Sequence, residues 1–182
     1  MRLFVGIPLA SEVIQALERV ANSLRSDGDG LRWSSPETWH ITLQFLGETS
    51  PERYECVEAH LREIRTVQAP IRLEGTGFFD RAGVFFAGVD VSPELRRLQE
   101  MVLAATEPCG FTAEDRPFHP HVTLARAKGD SRRQAQRKLK SQVDLKASFP
   151  GFVATEFLLY EAFLGSGGSR YEVRQRFALG EM

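Results

Sequence analysis

WHITLQFLG, from Trp39 to Gly47, decides the fold once it is set beside PHVTLAR, from Pro120 to Arg126. In the first stretch Ile41, Leu43 and Phe45 alternate with His40, Thr42 and Gln44. Successive side chains of a strand point to opposite faces, so one face is apolar and the other carries an imidazole and a hydroxyl. The same pattern returns 81 residues later, with His121 and Thr123. A single histidine on a strand is more often a structural hydrogen-bonder than a catalyst. Packing alone, however, gives no reason to repeat both polar residues on both strands.

Working outward, the repetition extends to the flanking segments. LFVGIPLASEVIQAL (Leu3 to Leu17) aligns with FFAGVDVSPELRRLQ (Phe85 to Gln99), placing Gly6 on Gly88 and Val13 on Leu95. Each reads as a short apolar strand followed by an amphipathic helix. Apolar positions recur at helical spacing, with Val13, Ala16, Leu17 and Val20 in one and Leu95, Leu98, Met101 and Val102 in the other. Ser92–Pro93 and Ser50–Pro51 supply cap and first-turn pairs for helices, and Asp130 caps a further one in the second half. Apolar strands follow at Ile71 and Phe152.

Each half thus reads strand, helix, strand, helix, strand. Asp80 to Gly83 is the hairpin turn joining the halves, and Gly165 to Ser169 is a long hairpin loop rather than a linker. The expected architecture is α+β. Two pseudo-twofold-related β-α-β-α-β units form one bilobal domain over 1–182, with repeat 1 at about 1–80 and repeat 2 at about 84–182. The sheets line a central cleft and the helices cover the outside.

Composition is ordinary for a globular chain, 42% hydrophobic and 26% charged, which argues against disorder. A net charge of −1 does not mark the whole protein as a polyanion binder, yet the charge is uneven. Arg126, Lys128, Arg132, Arg133, Arg137, Lys138, Lys140 and Lys146 stand against Asp130 and Asp144, so this segment is +6 and the remainder −7. Such a run is usually a solvated helix face, but beside a phosphate-handling site it would gain meaning. Cys56 and Cys109 make neither a C-x-x-C pair nor a disulfide framework, so reduced thiols and a cytoplasmic location are expected. The apolar start is too short for a signal peptide, and no stretch reaches membrane-spanning length.

A twofold arrangement faces His40 with His121 across the cleft. Imidazole exchanges a proton near neutrality, so two of them make an acid–base pair, one neutral and one protonated. Thr42 and Thr123 can donate hydrogen bonds to anionic oxygens held between them. A phosphodiester suits that geometry, needing a base for the nucleophile, an acid for the leaving oxygen and donors for the remaining oxygens.

WHITLQFLG and PHVTLAR resemble the paired His-x-Thr-x signatures of the 2H phosphoesterases, particularly the LigT-like RNA 2′,3′-cyclic phosphodiesterases, also called the 2′-5′ RNA ligase family. The likeness extends to RLFVGIPL at the start, to RWSSPETWHITLQFLGE and to the tail GSGGSRYEVRQRFAL. It implies metal-independent opening of a terminal 2′,3′-cyclic phosphate on RNA or a nucleotide to leave a 2′-phosphate. By this resemblance His40 is the proton donor to the leaving 3′ oxygen and His121 the proton acceptor from water. Thr42 and Thr123 bind the phosphate, and Arg126 contacts the nucleotide. Arg126 lies five residues after His121, the wrong parity for the histidine face, so a bulge or its own length must redirect it.

Other readings stand beside this one. The reverse reaction, ATP-independent 2′-5′ RNA ligation, is compatible with the lack of a P-loop pattern. A phosphodiesterase acting on another cyclic nucleotide would use the same groups, and a non-catalytic RNA- or nucleotide-binding module would keep the cleft. His119 and His121 offer two metal ligands, which are too few, so no metal and no cofactor are expected. His60 reads as a surface helix residue. Phe4, Phe45, Phe118 and Tyr171 are aromatic candidates for stacking a base, with Phe45 assigned to the core beside Ile41 and Leu43. Nothing calls for an obligate protein partner, and a monomer is expected.

Overall fold

The computed structural model describes residues 1–127, 129, 132–165 and 168–181. Strands β1 (Arg2–Pro8), β2 (Leu31–Trp33), β3 (His40–Glu48), β4 (Ala69–Ile71) and β5 (Leu73–Phe79) alternate with helices α1 (Ser11–Leu24) and α2 (Pro51–Leu61). The second half contains β6 (Val84–Val89), α3 (Pro93–Thr106), β7 (His121–Ala127) and α4 (Arg132–Lys140). It ends with β8 (Phe152–Ala154), β9 (Glu156–Gly165) and β10 (Gly168–Ala178). The mixed α+β class and the order expected within each half are both present. Asp130, expected as a helix cap, lies outside the described residues.

The strands form two four-stranded sheets, ordered β10-β9-β1-β3 and β2-β7-β6-β5, with a small β4-β8 pair between the halves. Each large sheet draws strands from both halves of the chain. The turn at Asp80–Gly83 closes the β5–β6 hairpin, with Gly83 N–H donating to the Asp80 carbonyl. Gly83 has φ +69°, where a Cβ would be strained. That hairpin carries the first half's last long strand into the second sheet. Reciprocally, β9 from the second half pairs with β1.

Helix formation follows the local signals. Ser50 Oγ accepts from Arg53 N–H and Ser92 Oγ from Leu95 N–H, each before a proline at the first turn. Ala10 precedes α1 without a side-chain cap, so that helix depends on its apolar face. The buried set is Val13, Ala16, Leu17 and Ala21, with Val20 at the edge of the stripe. In α3 Thr106 joins Leu95, Leu98 and Val102, while Met101 is half-buried. Both helix faces, the inner faces of both sheets and the β4–β8 pair share one apolar core that includes Val5, Ile41, Phe85, Leu98, Val122 and Phe157. Buried apolar area contributes roughly 25 cal/mol per Å², so a shared core couples the two sheets energetically.

The cysteines depart from expectation. Cys56 on α2 and Cys109 in the short turn after α3 form a disulfide across the two halves. Sequence separation hid the pairing, because the two cysteines stand 53 positions apart and only the packing of α2 on α3 brings them together. Cysteine usage therefore ceases to argue for a reducing compartment. Among the described residues no helix is long and apolar enough to cross a membrane.

Candidate active site

Strands β3 and β7 occupy matching places against β1 and β6, and both present a histidine at the first position. His40 and His121 line one cleft of about 1010 Å³, together with Thr42, Thr123 and Arg126. All five residues singled out from the sequence meet there.

The two imidazoles are held by one backbone device. His40 Nδ1 lies 2.8 Å from the Thr38 carbonyl and His121 Nδ1 lies 2.8 Å from the His119 carbonyl. A carbonyl can only accept, so each Nδ1 carries the proton and Nε2 is left for chemistry. Thr42 Oγ1 is 3.0 Å from His40 Nε2, which in the neutral ring accepts the hydroxyl proton.

Aromatic rings back each imidazole. Phe4, Tyr160 and Tyr171 lie 4.5, 5.8 and 5.2 Å from the His40 ring, centre to centre. Phe79 and Phe86 lie 4.9 and 5.4 Å from His121. Burial pushes the His40 imidazole from its ordinary 6.5 down to about 4, against the pull of the Thr38 carbonyl and with the charge of His121 adding to the fall. His121 is pushed down as well, by burial first, with the charges of His119 and Arg126 contributing. The cleft by itself therefore favours neutral rings, and an anion between them favours protonation. Burial likewise pushes the Tyr160 phenol up to about 12, so it stays protonated.

Gly6 permits the His40 side of this arrangement. A Cβ there would sit 2.9 Å from the Ile41 carbonyl oxygen and 3.4 Å from His40 Cδ2. The sequence shows a glycine in each half but not what it must clear.

A β-bulge resolves the parity of Arg126. In the β6–β7 ladder Phe86 faces Thr123 and Phe85 faces Ala125, so Leu124 is the extra residue. Leu124 and Ala125 are both buried and Arg126 returns to the cleft face. The β1–β3 ladder has the same irregularity, with Gly6 facing Thr42 and Val5 facing Gln44 around an extra Leu43. Assignment of Phe45 to the core is thereby overturned. Gln44 turns inward, where its Oε1 accepts from Thr106 Oγ1 at 2.7 Å, and Phe45 is 60% exposed at the cleft. Strict alternation could not reveal this. The signal available was Arg126, a cation at the position equivalent to Phe45 in the second half.

The remaining aromatic candidates separate by packing. Phe4 is buried against Leu158 and Tyr160, supporting His40 from below. Phe118 and Tyr171 line the cleft. Arg32, Arg96 and Arg116 line it too, and Arg32 pairs with Arg126 across β2 and β7. Basic α4 packs inward through Ala135, Gln136 and Leu139, and its Lys140 Nζ meets Asp80 at 2.6 Å. His119 stacks edge-on against Phe79 and Phe86. Among the described residues no third histidine, cysteine or carboxylate joins His119 and His121 as a metal cluster.

Residues 7–160 match the family described as the 2′-5′ RNA ligase superfamily. An RNA 2′,3′-cyclic phosphodiesterase of Archaeoglobus fulgidus is 31% identical over 177 residues, covering 94% of this chain and 97% of the relative. The crystal structure of E. coli LigT complexed with 3′-AMP superposes with a TM-score of 0.83 at 27% identity, covering 99% of this chain and 98% of that one. The crystal structure of TT0787 from Thermus thermophilus also gives 0.83, at 28% identity over 98% of this chain and 97% of the other.

Proposed function

Because this chain belongs to the 2′-5′ RNA ligase superfamily, we propose that it is an RNA 2′,3′-cyclic phosphodiesterase, opening cyclic phosphate ends of RNA or nucleotides to 2′-phosphates without a metal. The observation that carries the reading is the pair of imidazoles, each clamped through Nδ1 to a carbonyl two residues earlier and each facing one cleft.

In this mechanism the cyclic phosphate sits between the lobes. Thr42 and Thr123 hydroxyls and the Arg126 guanidinium bind its non-bridging oxygens, and the anionic charge offsets the desolvation that depresses both imidazoles. His121 Nε2 takes a proton from water as the oxygen attacks phosphorus. The bond to the 3′ oxygen breaks and His40 Nε2 supplies the proton to that oxygen. The product is a 2′-phosphate with a free 3′ hydroxyl, and the proton gained by His121 is returned through solvent. Release of five-membered-ring strain and the abundance of water favour opening over ligation. Phe45, on the wall opposite Arg126, offers a face for the terminal base. All these groups come from one chain.

The test is a short RNA bearing a 2′,3′-cyclic phosphate, incubated with the protein in EDTA, with 2′- and 3′-phosphate products separated. A 2′-phosphate product is expected. His40→Ala and His121→Ala should each lower turnover by about 10²–10⁴ while leaving the circular dichroism spectrum unchanged. Wild-type rates in both variants, or loss of activity in EDTA, would overturn the reading.

A further inference from the structure

A second chemical cluster lies outside the cleft, where α2 meets the turn after α3. Cys56 and His60 are four residues apart on α2 and so share one helix face. Cys109 reaches them from the turn at 107–109. His60 Nδ1 is 3.8 Å from the sulfur of Cys56 and 3.8 Å from that of Cys109, and all three ligand atoms lie within 4.8 Å of one another. None of these residues lines the cleft. We propose that this cluster is a redox-gated metal site: a disulfide when oxidised and, when reduced, a Cys2His site for a divalent cation of the zinc type.

Ligand spacing supports the proposal. Tetrahedral zinc with Zn–S near ~2.3 Å and Zn–N near ~2.0–2.1 Å requires sulfur–nitrogen separations of about 3.6 Å. Both separations already stand close to that. Only the sulfurs must part, to about 3.8 Å, which reduction and side-chain rotation allow. Two soft thiolates and one imidazole select zinc over magnesium or calcium, leaving a fourth position for water. Half-burial of Cys56 and His60 gives solvent a route to that position.

The cluster does not depend on the disulfide for its assembly. Arg53 Nε donates to the Cys109 carbonyl at 2.9 Å, its Nη2 donates to the Gly110 carbonyl at 2.5 Å, and its guanidinium lies over Phe111. Thr106, one turn earlier, is tied to Gln44. These contacts hold the Cys109 turn against α2 when the sulfurs are reduced. His60 Nδ1 now donates to the Cys56 carbonyl at 2.9 Å, so ligation requires the proton to move to Nε2 and that bond to be given up.

The chemistry balances with a dithiol or phosphine as reductant. Two electrons and two protons convert the disulfide to two thiols as the reductant is oxidised. A divalent cation then binds both thiolates and the imidazole, releasing two protons. Hydrogen peroxide takes the two electrons back and, with two protons from solvent, becomes two waters as the two thiolates re-form the sulfur–sulfur bond and release the cation.

The experiment uses full-length protein reduced with a phosphine, freed of reductant without air and titrated with Co(II). One equivalent should produce a thiolate-to-cobalt charge-transfer band and the strong visible bands of a tetrahedral ion, and Zn(II) should bleach both. Oxidised protein should give neither. Since changes that merely touch a ligand's neighbours cost ~10–100-fold in affinity, His60→Ala should weaken Co(II) binding at least about tenfold. Cys56→Ser should remove the paired-thiolate spectrum. Zn(II) should raise the melting temperature of reduced but not oxidised protein. A reduced, folded wild type without the charge-transfer band would overturn the proposal. So would His60→Ala binding as tightly as wild type, or a chain that unfolds on reduction alone.

Discussion

Replacing His40 with glutamine should flatten the acid limb of the protein's stability profile. The imidazole in the cleft titrates at about 4 and in the unfolded chain near the ordinary 6.5. Between those values the unfolded state binds a proton that the folded state refuses. Its neutral form is accommodated in full above about pH 6.5, and stability falls as pH drops toward 4. At ~1.4 kcal/mol per pH unit the gap amounts to roughly 3 kcal/mol of wild-type stability lost across that window. His121, also pushed down, adds to the loss with the same sign. Urea denaturation followed by circular dichroism at pH 4, 5, 6 and 7 gives the two curves. Their difference isolates His40, because the carboxylates are common to both. Inorganic phosphate in the cleft favours the protonated ring, so it should stabilise wild type more strongly at pH 5 than at pH 7. A wild-type minus variant difference constant to within about 0.5 kcal/mol from pH 7 to 4 would refute the claim that aromatic packing keeps this imidazole neutral.

Gly6→Ala should destabilise the protein by about 1–3 kcal/mol and reduce turnover, since its methyl meets the Ile41 backbone at 2.9 Å and crowds the His40 ring; melting and single-turnover rates measure the two effects. Phe45→Ala removes an exposed ring, so stability should stay within about 0.5 kcal/mol of wild type. Nucleotide affinity, read by calorimetry, should nevertheless weaken by about 1–3 kcal/mol. Arg126→Ala should raise KM and flatten its dependence on salt, as expected when a phosphate contact is lost; an unchanged salt slope would remove Arg126 from the phosphate site.

The element order and the histidine pair were legible because the repeat supplied two readings of each. Two strands with His-x-Thr at one spacing constrain both register and face, which neither would do alone. The cysteine pair was illegible for the opposite reason: the cysteines have no counterpart in each other's half, and their meeting depends on how α2 lies against α3. Strand exchange between the sheets was hidden as well. Periodicity identifies β5 and β9 as strands, but which sheet completes its ladder with them is settled by hydrogen bonding over the whole molecule. The aromatic backing of the histidines likewise required β9 to be placed beside β1, bringing Tyr160 over Phe4 with centroids 4.8 Å apart.

Phe45 and Arg126 show how one irregularity can divide labour in a duplicated site. Both stand five residues after their histidines, and regular pleating would send both into the core. Burying the Arg126 cation without a partner would cost several kcal/mol, so a bulge in β7 is favoured by electrostatics alone. No such penalty applies to Phe45, for which burial would be favourable. The matching bulge in β3 exposes it all the same, while the inward-turned Gln44 gains a hydrogen bond to Thr106. A core-driven fold gives no reason to expose a phenylalanine and bury a glutamine. A cleft that binds a base as well as a phosphate, as proposed above, would supply one. The bulges leave the histidines and threonines lining one cleft and put unlike groups, a ring and a cation, at the next equivalent positions. A symmetric site alone would bind a phosphate in either orientation. For the reaction proposed above, an aromatic face on one wall and a guanidinium on the other would give a nucleotide end one preferred direction, and that direction would decide which imidazole faces the leaving oxygen.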